Sequence, residues 1–352
     1  MAKIHLKIDD PNHTFIIAEA GSNWKSGSYE EDLEQAKKLI KIASKAGADA
    51  VKFQTYKADT VYAYNAGNSN YLAEQGINKK INEIFEYLSM PYEMISELSQ
   101  ICNDEKIIFM STPFSVEDAK QIDPFVSLHK IASFEINHVR LIEFLSKTEK
   151  PILISTGAST FDEIDFAVNL IKNNKNNEIG LLQCTSKYPA PIESLNLSAI
   201  PKMKERYNIP IGFSDHSVEP LIGPLTAVGL GATIIEKHFT LDKNLPGPDH
   251  SFAITPQELE LMVKSIRQAD KTKGNGKKII LNEEQELLLF AKRRIQAIKD
   301  IRKGDILKEG FNFEVLRPGN RIRGLEPRFL DKINGAKSTK DVLKGDGITE
   351  FE

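Results

Sequence analysis

The sequence predicts a (β/α)8 TIM barrel followed by a small β-rich unit. Three observations carry that prediction. Apolar, β-rich runs alternate with stretches of helical spacing eight times before residue 272. Each run is nearly continuously apolar, as in a sheet covered by helices. Polar and charged residues gather at the carboxyl ends of the runs, where barrel enzymes place their chemistry.

The first run is 14–20 (TFIIAEA), opening into the turn Gly21-Ser22-Asn23. Leu33, Ala36, Leu39, Ile40 and Ala43 predict a helix over 30–46, which Gly47 stops. The second strand is 49–55. The polar stretch after it carries Tyr62, Tyr64 and Tyr71 and is long for a βα connection. It reads as a lid or substrate loop with a short helix near 81–88. A helix at 91–104 leads to strand 107–112 and a short helix at 116–121. Strands 128–133, 151–156 and 179–185 follow, with helices at 138–147, 160–173 and 195–206. Strands 210–215 and 232–239 flank a helix at 220–230 and are expected to be parallel neighbours. Thr255 with Glu258 reads as a capping box for a helix over 255–272.

The run KTKGNGKK (271–278) breaks the alternation. We place the barrel at 1–272, a linker at 273–284 and the tail at 285–352. In the tail, strands are expected at 293–301, 313–319 and 338–348, between turns such as Lys303-Gly304-Asp305. Residues 286–352 carry fifteen Lys/Arg against eleven Asp/Glu, a net of +4, which leaves −7 on residues 1–285. That asymmetry is compatible with docking or with an anionic substrate.

Composition excludes several classes. With 41% hydrophobic and 27% charged residues and a net charge of −3, the chain reads as an ordinary globular protein without a nucleic-acid footprint. Cys102 and Cys184 are far apart and lack metal-ligand spacing, so a reducing, cytoplasmic compartment is expected. No apolar run resembles a signal peptide or reaches the roughly 18 residues of a membrane span.

The strand ends carry the candidate chemistry. They hold Glu19 and Asn23; Lys52 and Gln54; Ser111 and Thr112; and Lys130 and Ser133, with Glu135 just beyond. The later strands end in Ser155 and Thr156, then Thr185, Ser186 and Tyr188, then Asp215 and His216, then Glu236 and His238. Asp249 follows on a loop. One buried lysine needs only a carboxylate partner. Two, Lys52 and Lys130, point to an anionic ligand, because an unpaired buried ammonium is costly. The hydroxyls serve equally as helix caps. His216 and His238 end adjacent strands about 4.8 Å apart and can share a ligand. Two imidazoles fall short of a zinc set, and leaving positions to water and substrate oxygens suits Mn²⁺ or Mg²⁺. Glu19, Glu135 and Glu236 are available for proton transfer. The bland readings take His5, His13 and His129 as structural or surface, and Cys184 as core with no histidine paired to it by motif. Trp24 and the loop tyrosines read as packing, with substrate cover as the alternative.

The stretches IIAEAGSNW, AGADAVKFQT, STPFS, KIASFEIN, KPILISTG, CTSKYPAP, GFSDHS and LGATIIEKHFTLDKNLPGPDH, with RPG in the tail, occur in an order that resembles the sialic acid synthase family. That family includes the legionaminate, pseudaminate and spore-coat polysaccharide synthases. The tail looks like its antifreeze-like (SAF) domain. The resemblance implies condensation of phosphoenolpyruvate with an N-acylated hexosamine and water to give a nonulosonic acid and phosphate. It implies phosphoenolpyruvate contacts from Lys52, Thr112, Lys130, Ser133, Ser155, Ser186 and Ser214, and metal ligation by His216 and His238. It implies catalytic roles for Glu19, Glu135 and Glu236. Sugar contacts would come from Asn23, Gln54, Tyr188, Asp249 and Arg317, the last reaching from a partner's tail in a domain-swapped homodimer. Trp24 stands where members often carry His, and Ser186 where some carry Asn. Neither nucleic acid nor membrane is an expected partner. The alternatives are a Schiff-base aldolase or lyase using Lys52 or Lys130, and a non-catalytic carbohydrate-binding or ice-interacting protein.

Overall fold

The computed structural model describes residues 8–74 and 77–352. His5 lies outside the described residues, as does the side chain of Tyr71. The chain divides into two compact units, the first ending at Gly274 and the second spanning Asn275–Glu352.

Among its described residues the first unit holds eight parallel strands: β1 Phe15–Gly21, β2 Ala50–Thr55, β3 Ile108–Pro113, β4 His129–Ile131, β5 Ile152–Ser155, β6 Ile179–Cys184, β7 Ile211–Asp215 and β8 Ile234–His238. Their order is β3-β2-β1-β8-β7-β6-β5-β4. β3 and β4 lie against each other at the seam, so the sheet is a nearly closed barrel ringed by helices. Alternation along the strands sorts the side chains into two layers. Phe15, Ile17, Met110, Leu153, Leu182 and Ile234 fill the barrel floor. Ile16, Val51, Phe53, Ile154, Phe213 and Ile235 face the helices. Among the described residues, that apolar floor leaves the polar strand ends at the carboxyl-terminal mouth. At Gly212 a Cβ would sit 2.5 Å from the Ile234 carbonyl oxygen, so only glycine lets β7 and β8 approach there.

Local signals explain the helix boundaries. Ser28 and Glu31 close a capping box on helix Tyr29–Ala46, which ends at Gly47 with φ 84°. Thr255 and Glu258 do the same for helix Pro256–Thr272, as their spacing predicts. Such a cap contributes about 1 kcal/mol. Strand β4 is shorter than 128–133, because the chain turns into a 3-10 helix at Ser133–Glu135. The long β2 connection contains helices Ala58–Val61, Asn70–Glu74 and Ile81–Leu88. It builds its own cluster from Tyr56, Leu72, Ile81, Ile84 and Leu88, with Tyr62 and Phe85 against it. Trp24 is 1% exposed in the helix-facing core, so its role is packing. His13 and His129 pair with Asp49 and Asp123 at 2.7 and 3.1 Å, away from the mouth.

The second unit contains helix Gln285–Phe290 and an antiparallel pair, β9 Arg294–Ala297 and β10 Phe313–Leu316. Ile295, Ile301, Leu307, Phe313, Ile333 and Ile348 form its core. The expected strand over 338–348 is corrected. That segment makes isolated bridges to three different places, Ser338 to Phe351, Val342 to Ile301 and Gly347 to Gln296. The turn at Lys344-Gly345-Asp346, with Gly345 at φ 90°, interrupts any continuous ladder. Backbones cross closely instead, and a Cβ on Gly324 would lie 1.9 Å from the Ile295 carbonyl oxygen. Among the described residues, no helix is long and apolar enough to cross a membrane.

Candidate active site

Strand register assembles the site. Glu19 is level with Lys52 and with His238, Gln54 with Thr112, and Ser214 with both Cys184 and Glu236. Neighbouring strands therefore present charged and hydroxyl groups at one height in the barrel mouth. They line one small cleft at the mouth. A larger, more open hollow lies in the β2 connection, between Tyr62, Tyr64 and Tyr87. It gathers Asp59, Glu83 and Glu86 without a lining cation, so the smaller cavity is the better place for anion chemistry.

Two lysines share one carboxylate at the centre. Lys52 Nζ lies 2.6 Å from Glu19 Oε2 and 3.7 Å from Glu236 Oε2, and donates to Thr112 Oγ1 at 3.0 Å. Lys130 Nζ donates to Ser155 Oγ at 2.6 Å and to the Ile131 carbonyl at 2.9 Å. Glu236 Oε1 is 3.9 Å from Lys130 and accepts from Ser214 Oγ at 2.9 Å. Gln54 donates to Glu19 Oε1 at 3.1 Å. Both lysines and both carboxylates are at most 5% exposed.

Environment separates the acids. Burial raises Glu236, but Lys130 and Lys52 overcome it and hold the carboxyl down at about 2. Burial lifts Glu19 to about 7 against the pull of Lys52. Glu135 is also lifted to about 7 by burial, which Lys130 only partly opposes, and its Oε2 is buried with no hydrogen-bond partner among the described residues. Burial lowers Lys130, whereas Glu19 and Glu236 outweigh burial at Lys52 and raise it. Within the cavity lining an ionised carboxylate, Glu236, is paired with the lifted acid Glu19, the division that acid–base chemistry needs, whereas Glu135 lies outside that lining.

The opposite wall is aromatic and imidazole-rich. The His216 and His238 rings are 5.5 Å apart, and Tyr188 packs 4.2 Å from His216. His216 Nδ1 is 2.9 Å from the Thr185 carbonyl, which can only accept. Nδ1 therefore carries a ring proton. Burial lowers this imidazole, but Cys184 with the Thr185 carbonyl outweighs burial and raises it, so Nε2 offers a lone pair only in the neutral ring. His238 Nδ1 is buried with no hydrogen-bond partner among the described residues, and burial with His216 and Lys52 pushes this imidazole well below its ordinary range. In their neutral forms both rings could donate to a divalent cation, a form that burial favours at His238 and that Cys184 opposes at His216. Among the described residues no three His, Cys, Asp or Glu side chains converge on one metal-sized space, which leaves further coordination to water and substrate oxygens.

The remaining predicted residues fall around this core. Ser133 lines the cavity and accepts from the Gly157 amide at 3.0 Å. Ser186 Oγ lies so near Gly157 that a Cβ there would meet it at 2.2 Å. Asp249 accepts from the Ser22 amide and hydroxyl, with Oδ2 3.8 Å from His238 Nδ1. Asn23 lies outside the cavity lining, and its amide donates to the Phe239 carbonyl. Arg317 is exposed just after β10 in the second unit. Cys184 differs from its reading as plain core. It lines the cavity with Sγ 3.7 Å from His216 Nδ1, so a histidine does face it in space. Its signal was the strand period, because Leu182 and Cys184 share the lumen face of β6.

Comparison with known proteins decides the family. The model described as the NeuB family matches residues 39–278. This chain belongs to the NeuB family. It is 39% identical to a pseudaminic acid synthase of Campylobacter jejuni over 96% of both chains. A solved spore coat polysaccharide biosynthesis protein SpsE of Bacillus subtilis aligns over 96% of this chain and 94% of its own, at 38% identity and a TM-score of 0.63. The solved N-acetylneuraminic acid synthetase of Leptospira borgpetersenii, in complex with citrate, aligns over 79% of this chain and 91% of its own, at 33% identity and a TM-score of 0.70.

Proposed function

We propose that this chain condenses phosphoenolpyruvate with the open-chain aldehyde of an N-acylated hexosamine and water, giving a sialic-type nonulosonic acid and phosphate. The observation that carries the reading is the pair of buried lysines, Lys52 and Lys130, set around Glu236 and opposite His216 and His238. Relatives that synthesise acids of this type support it.

The residues divide the work. Lys52 and Lys130, with Thr112, Ser133, Ser155, Ser186 and Ser214, hold the phosphate and carboxylate of phosphoenolpyruvate. Glu236 keeps the ammonium pair compensated before the anion arrives. C3 of phosphoenolpyruvate forms the new bond to the aldehyde carbon, whose oxygen takes a proton from Glu135. Glu19, lifted to about 7, accepts the proton of a water that adds at C2. The bond from C2 to the phosphate-ester oxygen then breaks, and phosphate leaves with the 2-keto acid behind. A divalent cation held by His216 and His238, Mn²⁺ or Mg²⁺, would supply Lewis-acid polarisation of the aldehyde oxygen. Gln54, Tyr188 and Asp249 bound the sugar side, whereas Asn23 is buried against the Phe239 carbonyl and drops out of that set. Arg317 completes it from a partner's tail, which we assign as an SAF-type domain in a swapped homodimer.

The test is phosphate release from phosphoenolpyruvate with Mn²⁺ and each of three sugars: N-acetylmannosamine, its 2,4-diacetamido-6-deoxy analogue and the altrose counterpart of that analogue. Release with one of them supports the reading and names the substrate. No release with any refutes it. One observation favours a second reading, a Schiff-base aldolase, since burial lowers Lys130 toward a neutral amine. Borohydride with substrate would inactivate that enzyme and spare a synthase.

A further inference from the structure

A second buried ion pair lies in β7 and β8, one residue before each histidine. Lys237 Nζ is 2.6 Å from Asp215 Oδ2 and 2.8 Å from the Ser217 carbonyl oxygen, with Ser217 Oγ at 3.4 Å. Asp215 Oδ1 accepts from the Ser217 amide at 2.8 Å. Asp215 and Lys237 are cross-strand partners, and each is 1% exposed. Alternation turns both away from the lumen that Glu236 and His238 face. They sit in the helix-facing layer, beneath Gly223, where a Cβ would lie 3.1 Å from Asp215 Oδ2. Elsewhere that layer is packed with apolar side chains.

A buried ion pair is a poor source of stability, because apolar residues of similar volume do as well or better. What this pair does is geometric. The ammonium gathers three groups from the turn Asp215-His216-Ser217, so it fixes the backbone on both sides of His216. Its own backbone continues directly into His238. One ammonium thus sets the turn of one imidazole and the strand end of the other.

We infer that Lys237 and Asp215 are positioning residues for the divalent-cation site, a proposal that rests on the reading of His216 and His238 as its ligands. They touch neither cation nor substrate. They hold the two imidazoles at a separation that one ion can bridge. Removal of outer-shell partners of metal ligands typically costs 10–100-fold in metal affinity.

The test measures Mn²⁺ dissociation constants by electron paramagnetic resonance on the full chain without substrates, alongside urea unfolding midpoints. The double variant Asp215→Leu/Lys237→Met replaces the pair with apolar side chains. It is expected to match the wild-type midpoint while its Mn²⁺ dissociation constant rises roughly 10- to 100-fold. Asp215→Asn keeps the shape and is expected to rise less; it decides the matter by itself if the double variant does not fold. A lower midpoint with unchanged Mn²⁺ affinity would show a merely structural pair and overturn the proposal. His238→Ala separates the two levels. If it loses Mn²⁺ while the pair variants bind normally, only the positioning role falls. If it binds Mn²⁺ like the wild type, the ligand assignment falls, and the positioning role with it.

Discussion

Replacing Glu135 with glutamine should stabilise this protein at high pH while impairing it as a catalyst. Glu135 is 9% exposed and stands at the end of the Ser133–Glu135 turn, with Oε2 lacking a hydrogen-bond partner among the described residues. Burial raises its carboxyl from an ordinary 4.5 to about 7. Folding therefore favours the protonated form. Below about 4.5 both folded and unfolded chains are protonated there, and nothing is lost. As pH rises toward 7 the unfolded chain ionises freely and the folded one does not, so stability falls. Above 7 the penalty is complete, at about 3 kcal/mol from 1.36 kcal/mol per pH unit. Glutamine has the same shape and no charge, so Glu135→Gln removes that penalty. Urea unfolding of both proteins across pH 4 to 8.5 should give curves that coincide at the acid end. They should separate to about 3 kcal/mol, at most, at the alkaline end. A separation independent of pH, or a less stable variant at pH 8, would refute the burial argument. If Glu135 also protonates the developing alkoxide, turnover falls in the same variant, the trade-off of a group kept for function.

Three further perturbations probe other parts of the site. Lys52→Met leaves Glu19 and Glu236 buried with less compensation; we expect about 3–5 kcal/mol of destabilisation by chemical unfolding, and Lys52→Met/Glu19→Gln should recover much of it. Gly157→Ala drives a methyl to 2.2 Å from Ser186 Oγ and 3.0 Å from Ser133 Oγ. Steady-state kinetics should show a raised KM for phosphoenolpyruvate with the sugar KM little changed, and the opposite pattern would move those serines to the sugar side. Arg317→Ala should raise the sugar KM about tenfold or more and spare phosphoenolpyruvate, as expected for loss of one charge-assisted contact. Equal effects on both substrates would dismiss that role.

The barrel was legible because its signals are local and repeated. Eight apolar runs, the Thr255–Glu258 box and Gly47 each state their structure within a few residues. The cavity residues were legible because a barrel places strand ends together, which makes Lys52, Lys130, Glu236 and His238 neighbours from the chain order alone. What stayed hidden depends on direction and partner. Cys184 reads as core until β6 and β7 bring it to His216. Lys237 stands between Glu236 and His238 in the sequence, and only the strand period turns it outward to Asp215. Trp24 sits beside the site in sequence but packs into the helix layer. In the tail, residues 338–348 have strand-like composition, yet their bridges go to three separate partners, which no local pattern encodes.

The central claim is that carbon–carbon bond formation is coupled to water addition at C2 with loss of phosphate. Turnover in heavy-oxygen water, with phosphate and 2-keto acid both analysed by mass spectrometry, tests it most directly. Equal amounts of the two products are expected, with phosphate emerging unlabelled because the ester breaks between C2 and oxygen rather than between oxygen and phosphorus. Heavy oxygen in the phosphate, or phosphate released without a matching 2-keto acid, would contradict it.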